Sequence, residues 1–203
     1  MSSRALRRAY TLWAPFYDLA VQTVFRASRR RSVAPIEDRP ERIALIGVGT
    51  GLDLPWLPPG PRYTALDLTP PMLARARRRA LALGRRMDAV QGDAMALPFR
   101  TAAFDRVVLH LILAVVPHPA AALHEAARVV KPGGFLHVFD KFLLPRRSAP
   151  LRRLISPVLG RLATRTDVVF EDVLAGVPEL TLVSDVPDLG RGWFRRILLR
   201  RAS

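Results

Sequence analysis

Short apolar runs alternate with amphipathic stretches through the middle of the chain. Ile43–Val48 is a continuous apolar run ending in glycines, the pattern of a strand buried on both faces. Tyr63–Leu66 predicts a second strand. Thr69-Pro70-Pro71 behind it predicts a helix start, with Thr69 as the cap and proline in the first turn, and Gly84 closes that helix. Ala89–Gln91 and Phe104–Leu111 read as the third and fourth strands. Pro119–Val130 reads as a helix leaving through Lys131-Pro132-Gly133-Gly134, and Phe135–Phe139 as a fifth strand. Strands alternating with helices predict an α/β protein with a doubly wound, mostly parallel sheet. After Asp140 the pattern loosens into a basic helical stretch, Pro150–Leu162, and two more strands, Thr181–Val186 and Gly192–Leu199.

The first 39 residues read differently. Leu6, Tyr10 and Trp13 recur at helical spacing, and Pro15 opens a second helix. That helix places Tyr17, Ala20, Val21, Val24 and Phe25 on one face, with Arg26, Arg29, Arg30 and Arg31 at its end, where cations suit the helix dipole. Residues 35–42 are a polar connector. The expected organisation is an N-terminal helical segment, 1–39, ahead of a single compact domain, 40–203.

Composition narrows the chemistry. Half of the 203 residues are hydrophobic, which excludes wholesale disorder, and the absence of cysteine excludes disulfides, zinc ribbons, thiolate catalysis and iron–sulfur clusters. The four histidines lack metal-ligand spacing, so no metal site is expected. The longest apolar run, Val107–Val116, is far short of the ~20 residues of a membrane span, and no signal peptide follows the first residues. A cytoplasmic monomer, free or lying on the inner membrane face, is expected.

The net charge of +15 matters through its placement. Lys141–Arg165 carries seven basic residues and no acid, Arg191–Arg201 five and none, and the stretch to Arg31 has seven arginines against Asp18. Such a field attracts phosphate. Leu151, Leu154, Ile155, Val158, Leu159 and Leu162, flanked by arginines, have the make-up of an interfacial helix, so an anionic membrane surface is the expected partner. The arginines are not interleaved with stacking aromatics, which argues against nucleic acid.

The sharpest motif is Gly47-Val48-Gly49-Thr50-Gly51, directly after the first strand, where backbone must turn tightly and approach a ligand. Asp67 ends the second strand twenty positions after Gly47, placed to accept hydrogen bonds from a ribose. A nicotinamide site wants a third glycine where Leu52 stands, and a phosphate-binding P-loop wants a lysine that is missing. The G-x-G-x-G form followed by an acid resembles the class I S-adenosylmethionine-dependent methyltransferases. Gly92-Asp93-Ala94, Phe104-Asp105-Arg106-Val107-Val108 and Arg128-Val129-Val130-Lys131-Pro132-Gly133-Gly134 resemble later motifs of that family in order and spacing. Tyr10-Thr11-Leu12-Trp13-Ala14-Pro15-Phe16-Tyr17-Asp18 resembles the start of two groups within it, the bacterial phosphatidylethanolamine N-methyltransferases and the quinone C-methyltransferases. Gly47 to Pro55 is closer to the phospholipid group.

The resemblance implies a seven-stranded Rossmann-like methyltransferase fold with an N-terminal helical lid, S-adenosylmethionine as donor and S-adenosylhomocysteine as product. It also implies the cofactor contacts: Gly47, Gly49, Thr50 and Gly51 at the methionyl end, Asp67 with Leu68 at the ribose, Met72, Asp93 and Ala94 around adenine. Tyr10 and Tyr17 would fold over, and His110 would sit beside the sulfonium. For an amine acceptor, Tyr17, His110 and Asp140 are the candidate catalytic bases. The expected substrate is an amphiphile, a phospholipid ethanolamine nitrogen ahead of a quinone or other small molecule. A non-catalytic basic protein or an RNA methylator on the same fold are the other readings.

Overall fold

A computed structural model describes residues 24–143, 168–190 and 192–203. Seven strands form one sheet: β1 (Arg42–Ile46), β2 (Arg62–Asp67), β3 (Met87–Gln91), β4 (Phe104–His110), β5 (Val130–Lys141), β6 (Leu180–Pro187) and β7 (Phe194–Arg201). Their spatial order is β3-β2-β1-β4-β5-β7-β6. The first five run parallel, while β7 wedges between β5 and β6 and pairs antiparallel with both. The helices are α1, described over 24–33, α2 (Pro70–Ala82), α3 (Pro119–Val129) and α4 (Phe170–Ala175), with a 3-10 turn at Leu54–Trp56.

The continuous apolar run of β1 follows from burial on both faces. Ala44 and Ile46 join Val107, Leu109, Leu136 and Val138 beneath Leu123, Ala126 and Ala127 of α3. Ile43 and Leu45 join Tyr63, Ala65 and Val108 on the opposite face, beneath Val33 of α1 and Leu73, Ala76 and Ala80 of α2. Each large aliphatic or aromatic side chain buried this way contributes about 1.5–3 kcal/mol, which holds the two helical layers to the sheet.

The elements depart from expectation in three places. The segment Lys131-Pro132-Gly133-Gly134, expected as a turn before β5, lies inside it: the β4–β5 register steps from Phe104↔Val130 to Arg106↔Phe135, a bulge that absorbs those residues. A Cβ on Gly134 would stand 2.7 Å from the Asp105 carbonyl, so glycine is what lets the bulge close against β4. Helix α4 was not expected, and β7 begins at Phe194, after a turn in which Gly192 takes φ +87°.

The basic tail also changes meaning. Arg195 sits in the inward register of β7 with Ile197 and Leu199 and pairs with Asp185 and Glu171. Arg196 pairs with Asp188, and Arg201 donates to the carbonyls of Arg128 and Val130. These arginines hold β6, α4 and β5 together. The basic stretch Pro150–Leu162 lies outside the described residues.

Candidate active site

Strand order reverses between β1 and β4, and in parallel sheets ligands bind at such a point, beyond the carboxyl ends of the strands. The glycine loop leaves β1 at that place. Gly47 has φ +68°, and a Cβ there would stand 2.7 Å from the Ile112 side chain, so the loop and the exit of β4 approach with nothing between them. Gly49 has φ +55°, yet a Cβ there would meet nothing within 4 Å among the described residues. Packing among the described residues does not require glycine at 49; its left-handed backbone favours it, and the face in front of it is left bare.

The neighbouring strand ends carry the other expected residues. Asp67 Oδ2 accepts the Gly49 amide at 2.8 Å, and Oδ1 accepts the amide and hydroxyl of Thr69 at 2.9 and 2.8 Å. Thr69 occupies the cap position of α2 as expected, but its hydroxyl serves Asp67 instead of the helix. Of the about four lone-pair sites of a carboxylate, Asp67 therefore keeps one on Oδ2. Leu68 is half-buried, while Thr50 and Met72 are buried at the loop and in the first turn of α2. Asp93 and Ala94 follow β3, with Asp93 Oδ1 holding the Met95 amide at 2.9 Å. Hydrogen bonds from the Val48 amide to Leu66 and the Gly92 amide to Asp67 set the three strand ends side by side.

Of the two candidate bases within the described residues, His110 has both ring nitrogens engaged and Asp140 holds one backbone amide on each oxygen. His110 is buried; its Nδ1 lies 2.8 Å from Asp53 Oδ1 and its Nε2 2.9 Å from Ser32 Oγ. The same Asp53 oxygen accepts Arg29 Nη1 at 2.8 Å. Burial alone would raise the Asp53 carboxyl, but the Arg29 charge and His110 outweigh it and hold it well below the usual carboxylate range. An ionised Asp53 accepts from both neighbours, so His110 donates from Nδ1 while its Nε2 pairs with the Ser32 hydroxyl. Asp140, at the end of β5, accepts the amides of Ala114 at 3.0 Å and Lys141 at 2.8 Å and so anchors the loop after β4. Burial raises it to about 6, against the lowering pull of those amides. Tyr10 and Tyr17 lie outside the described residues.

Sequence reasoning missed Asp53, Arg29 and Ser32. Arg29 was expected among the cations that suit the dipole at the end of its helix; it faces inward beside Ser28, Ser32 and Val33. A cation in the apolar register of a helix signals a buried acid, although nothing in the local pattern points to one 24 residues away. Among the described residues no three acidic or histidine side chains gather as metal ligands, and no helix is long and apolar enough to cross a membrane.

The family described as "Methyltransferase domain" matches residues 45–138. A phosphatidylethanolamine N-methyltransferase of Cereibacter sphaeroides is 32% identical over 204 aligned positions, covering 99% of this chain and 100% of that one. The chain belongs to the class I S-adenosylmethionine-dependent methyltransferases. A demethylmenaquinone methyltransferase of Thermus thermophilus is 40% identical over 63% of this chain and 61% of its own length. A ubiquinone/menaquinone biosynthesis C-methyltransferase of a Ruegeria species reaches 48% over 40% of this chain and 34% of its own. Among solved structures, a methyltransferase from Thermotoga maritima superposes with a TM-score of 0.69 at 19% identity, covering 98% of this chain and 100% of that one. A [4+2]-cyclase superposes at 0.68 with 20% identity, covering 87% and 81%. Both likenesses concern the fold alone.

The family takes S-adenosylmethionine as methyl donor, and the residues at the switch point fit such a group. Main chain is bare at Gly49, space is open in front of it, and the Asp67 carboxylate beside it retains acceptor capacity.

Proposed function

We propose that this methyltransferase methylates the ethanolamine nitrogen of a phospholipid at the inner membrane surface. The observation that carries this reading is the end-to-end match to the phosphatidylethanolamine enzyme. The quinone enzymes match more strongly residue for residue but over a fraction of their length. Agreement along the whole chain, beyond the 63% and 40% that these quinone enzymes match, weighs more.

The donor, when bound, supplies a methyl carbon already activated on a sulfonium. The chain then has to position two partners and keep water from between them. In this reading Gly47, Gly49, Thr50 and Gly51 cradle the methionyl end and Asp67 holds the ribose through its remaining acceptor site, next to Leu68. Met72 packs on adenine, with Asp93 and the Ala94 amide at its edge. His110, through both ring nitrogens, and Asp140, through the Ala114 and Lys141 amides, hold the β4 and β5 exits in place. Basic segments hold the enzyme on anionic lipid, each charge near the surface contributing about 1 kcal/mol.

The test offers methyl-labelled donor and vesicles of phosphatidylethanolamine and phosphatidylglycerol that also carry a demethylated quinone. Label is expected in N-methylated phosphatidylethanolamine, and activity is expected to drop when salt screens the vesicle surface. Label confined to the quinone would overturn the phospholipid reading.

A further inference from the structure

We infer that Arg29, Ser32, Asp53 and His110 are positioning residues for the methyl donor, fastening α1 to both rims of the β1/β4 crevice so that donor binding requires a seated α1. The inference rests on the donor assignment and is independent of which acceptor is methylated.

One rim is the glycine loop, which runs from Gly47 into Asp53. The other is the exit of β4, where His110 is followed by Leu111 in the left-handed region at φ +57° and then by Ile112, whose side chain packs against Gly47. Such a backbone conformation is costly for leucine and persists only when its surroundings fix it. Here the Leu111 amide is held by the Phe139 carbonyl at 2.8 Å, and the preceding side chain is fixed at both ring nitrogens.

A single carboxylate oxygen joins the rims, since Asp53 Oδ1 accepts from His110 of one rim and from Arg29 of α1. Ser32, one helical turn beyond Arg29, closes the ring through His110 Nε2. Further ties run along the same helix face: the Ser32 carbonyl accepts His137 Nδ1 at 3.1 Å, and Ser28 Oγ donates to Asp188 at 3.1 Å. The inner face of α1 is thus largely polar. A shift of α1 by part of a turn leaves Arg29 and Asp53 buried without partners. The ring therefore sets one position of α1 and one separation of the rims. By linkage, whatever seating does for donor affinity, the donor does for seating.

The experiment compares the wild type with the double variant Arg29→Met, Asp53→Asn, which removes both charges and leaves no lone buried ion, and with the milder Ser32→Ala. Calorimetry reads the affinity for S-adenosylhomocysteine, and thermal melting without ligand reports the fold. Mass spectrometry reads tryptic cleavage after Arg26, Arg30 and Arg31. The expected result is about tenfold weaker binding in the double variant and a smaller loss in Ser32→Ala. S-adenosylhomocysteine should also slow cleavage of α1 in the wild type but not in the double variant. A purely structural ring would lower the melting point and leave ligand-dependent protection intact. Unchanged affinity in a folded double variant, or α1 cleavage indifferent to the ligand in the wild type, overturns the inference. Absence of binding by the wild type overturns it together with the donor assignment.

Discussion

Asp67 accepts the Gly49 amide at 2.8 Å, so the carboxylate expected to grip a ribose also fastens the loop in front of it. Asp67→Ala should therefore lose two things. A hydrogen bond from a charged group is worth about 1.5–3 kcal/mol, so donor affinity should fall roughly 10- to 100-fold. The freed amides of Gly49 and Thr69 should cost about 1–3 kcal/mol of stability in addition. Calorimetry with S-adenosylhomocysteine beside a urea titration separates the two effects. Affinity equal to wild type would remove Asp67 from the donor site.

Gly49→Ala tests the open space directly. The left-handed backbone should cost about 1–2 kcal/mol and no more, since the new methyl collides with no atom of the described residues. Donor affinity should drop at least tenfold, since the methyl occupies the space where main chain meets ligand. Gly47→Ala should show the opposite balance, with greater destabilisation from the clash with Ile112. Thermal shifts with and without S-adenosylhomocysteine read both variants; a full ligand-induced shift in Gly49→Ala would place the donor elsewhere.

His137 and Asp140, close together on β5, should give stability profiles of opposite slope. Burial, then the Arg106 charge, lowers His137 from 6.5 to about 3, and burial raises Asp140 from 3.8 to about 6. Below pH 6.5 the unfolded chain protonates His137 while the folded chain does not, so stability falls with falling pH by about 1.4 kcal/mol per unit. Asp140 keeps its proton in the folded chain up to about 6, so its contribution falls as pH rises from 3.8 to that value. Between about pH 4 and 6 the two slopes cancel. Asp140→Asn should lose about 2–3 kcal/mol between pH 6 and 4, and His137→Gln should gain a similar amount. Urea titrations at pH 4, 5 and 6 check this, and equal slopes in both variants would refute it. The depressed Asp53 adds its own loss only as pH falls below the ordinary carboxylate range.

Arg195→Leu should destabilise the fold by about 2–3 kcal/mol, since it removes charged hydrogen bonds to Asp185 and Glu171 from a buried position. For a chain of this size that is a fall in Tm of roughly 4–12 °C. Donor affinity should not change. A melting point within a degree of wild type would return Arg195 to the role of a solvated charge.

The parallel part of the fold was legible because buried strands and helix starts are local signals. Ile43–Val48 and the run Thr69-Pro70-Pro71 each carry their own pattern, and the structure places β1 at Arg42–Ile46 and α2 at Pro70–Ala82. The bulge at Lys131–Gly134 was not legible, because the same residues that make a turn also make an irregularity inside a strand. Helix α4 has only six residues, too few for a helical period to show. For the site, the glycine loop and Asp67 could be read from their spacing, whereas the Arg29–Asp53–His110 ring joins positions 24 and 57 residues apart and leaves no local trace. The arginines of β7 were misjudged for a related reason. Their acids lie on β6, α4 and the turn before β7, and counting charge along a segment cannot see partners that folding brings in.

The wedging of β7 between β5 and β6 bears on how the chain emerges during synthesis. Both neighbours are made before it, and each lacks its pairing partner until residues 194–201 arrive between them. In that interval β5 and β6 each present an open edge to the crowded interior of the cell, and β6 does so with Leu182 and Val183 uncovered. Ribosomes that stall ahead of Phe194 should therefore release sticky, chaperone-dependent products, while those that pass it release a chain able to close its own sheet.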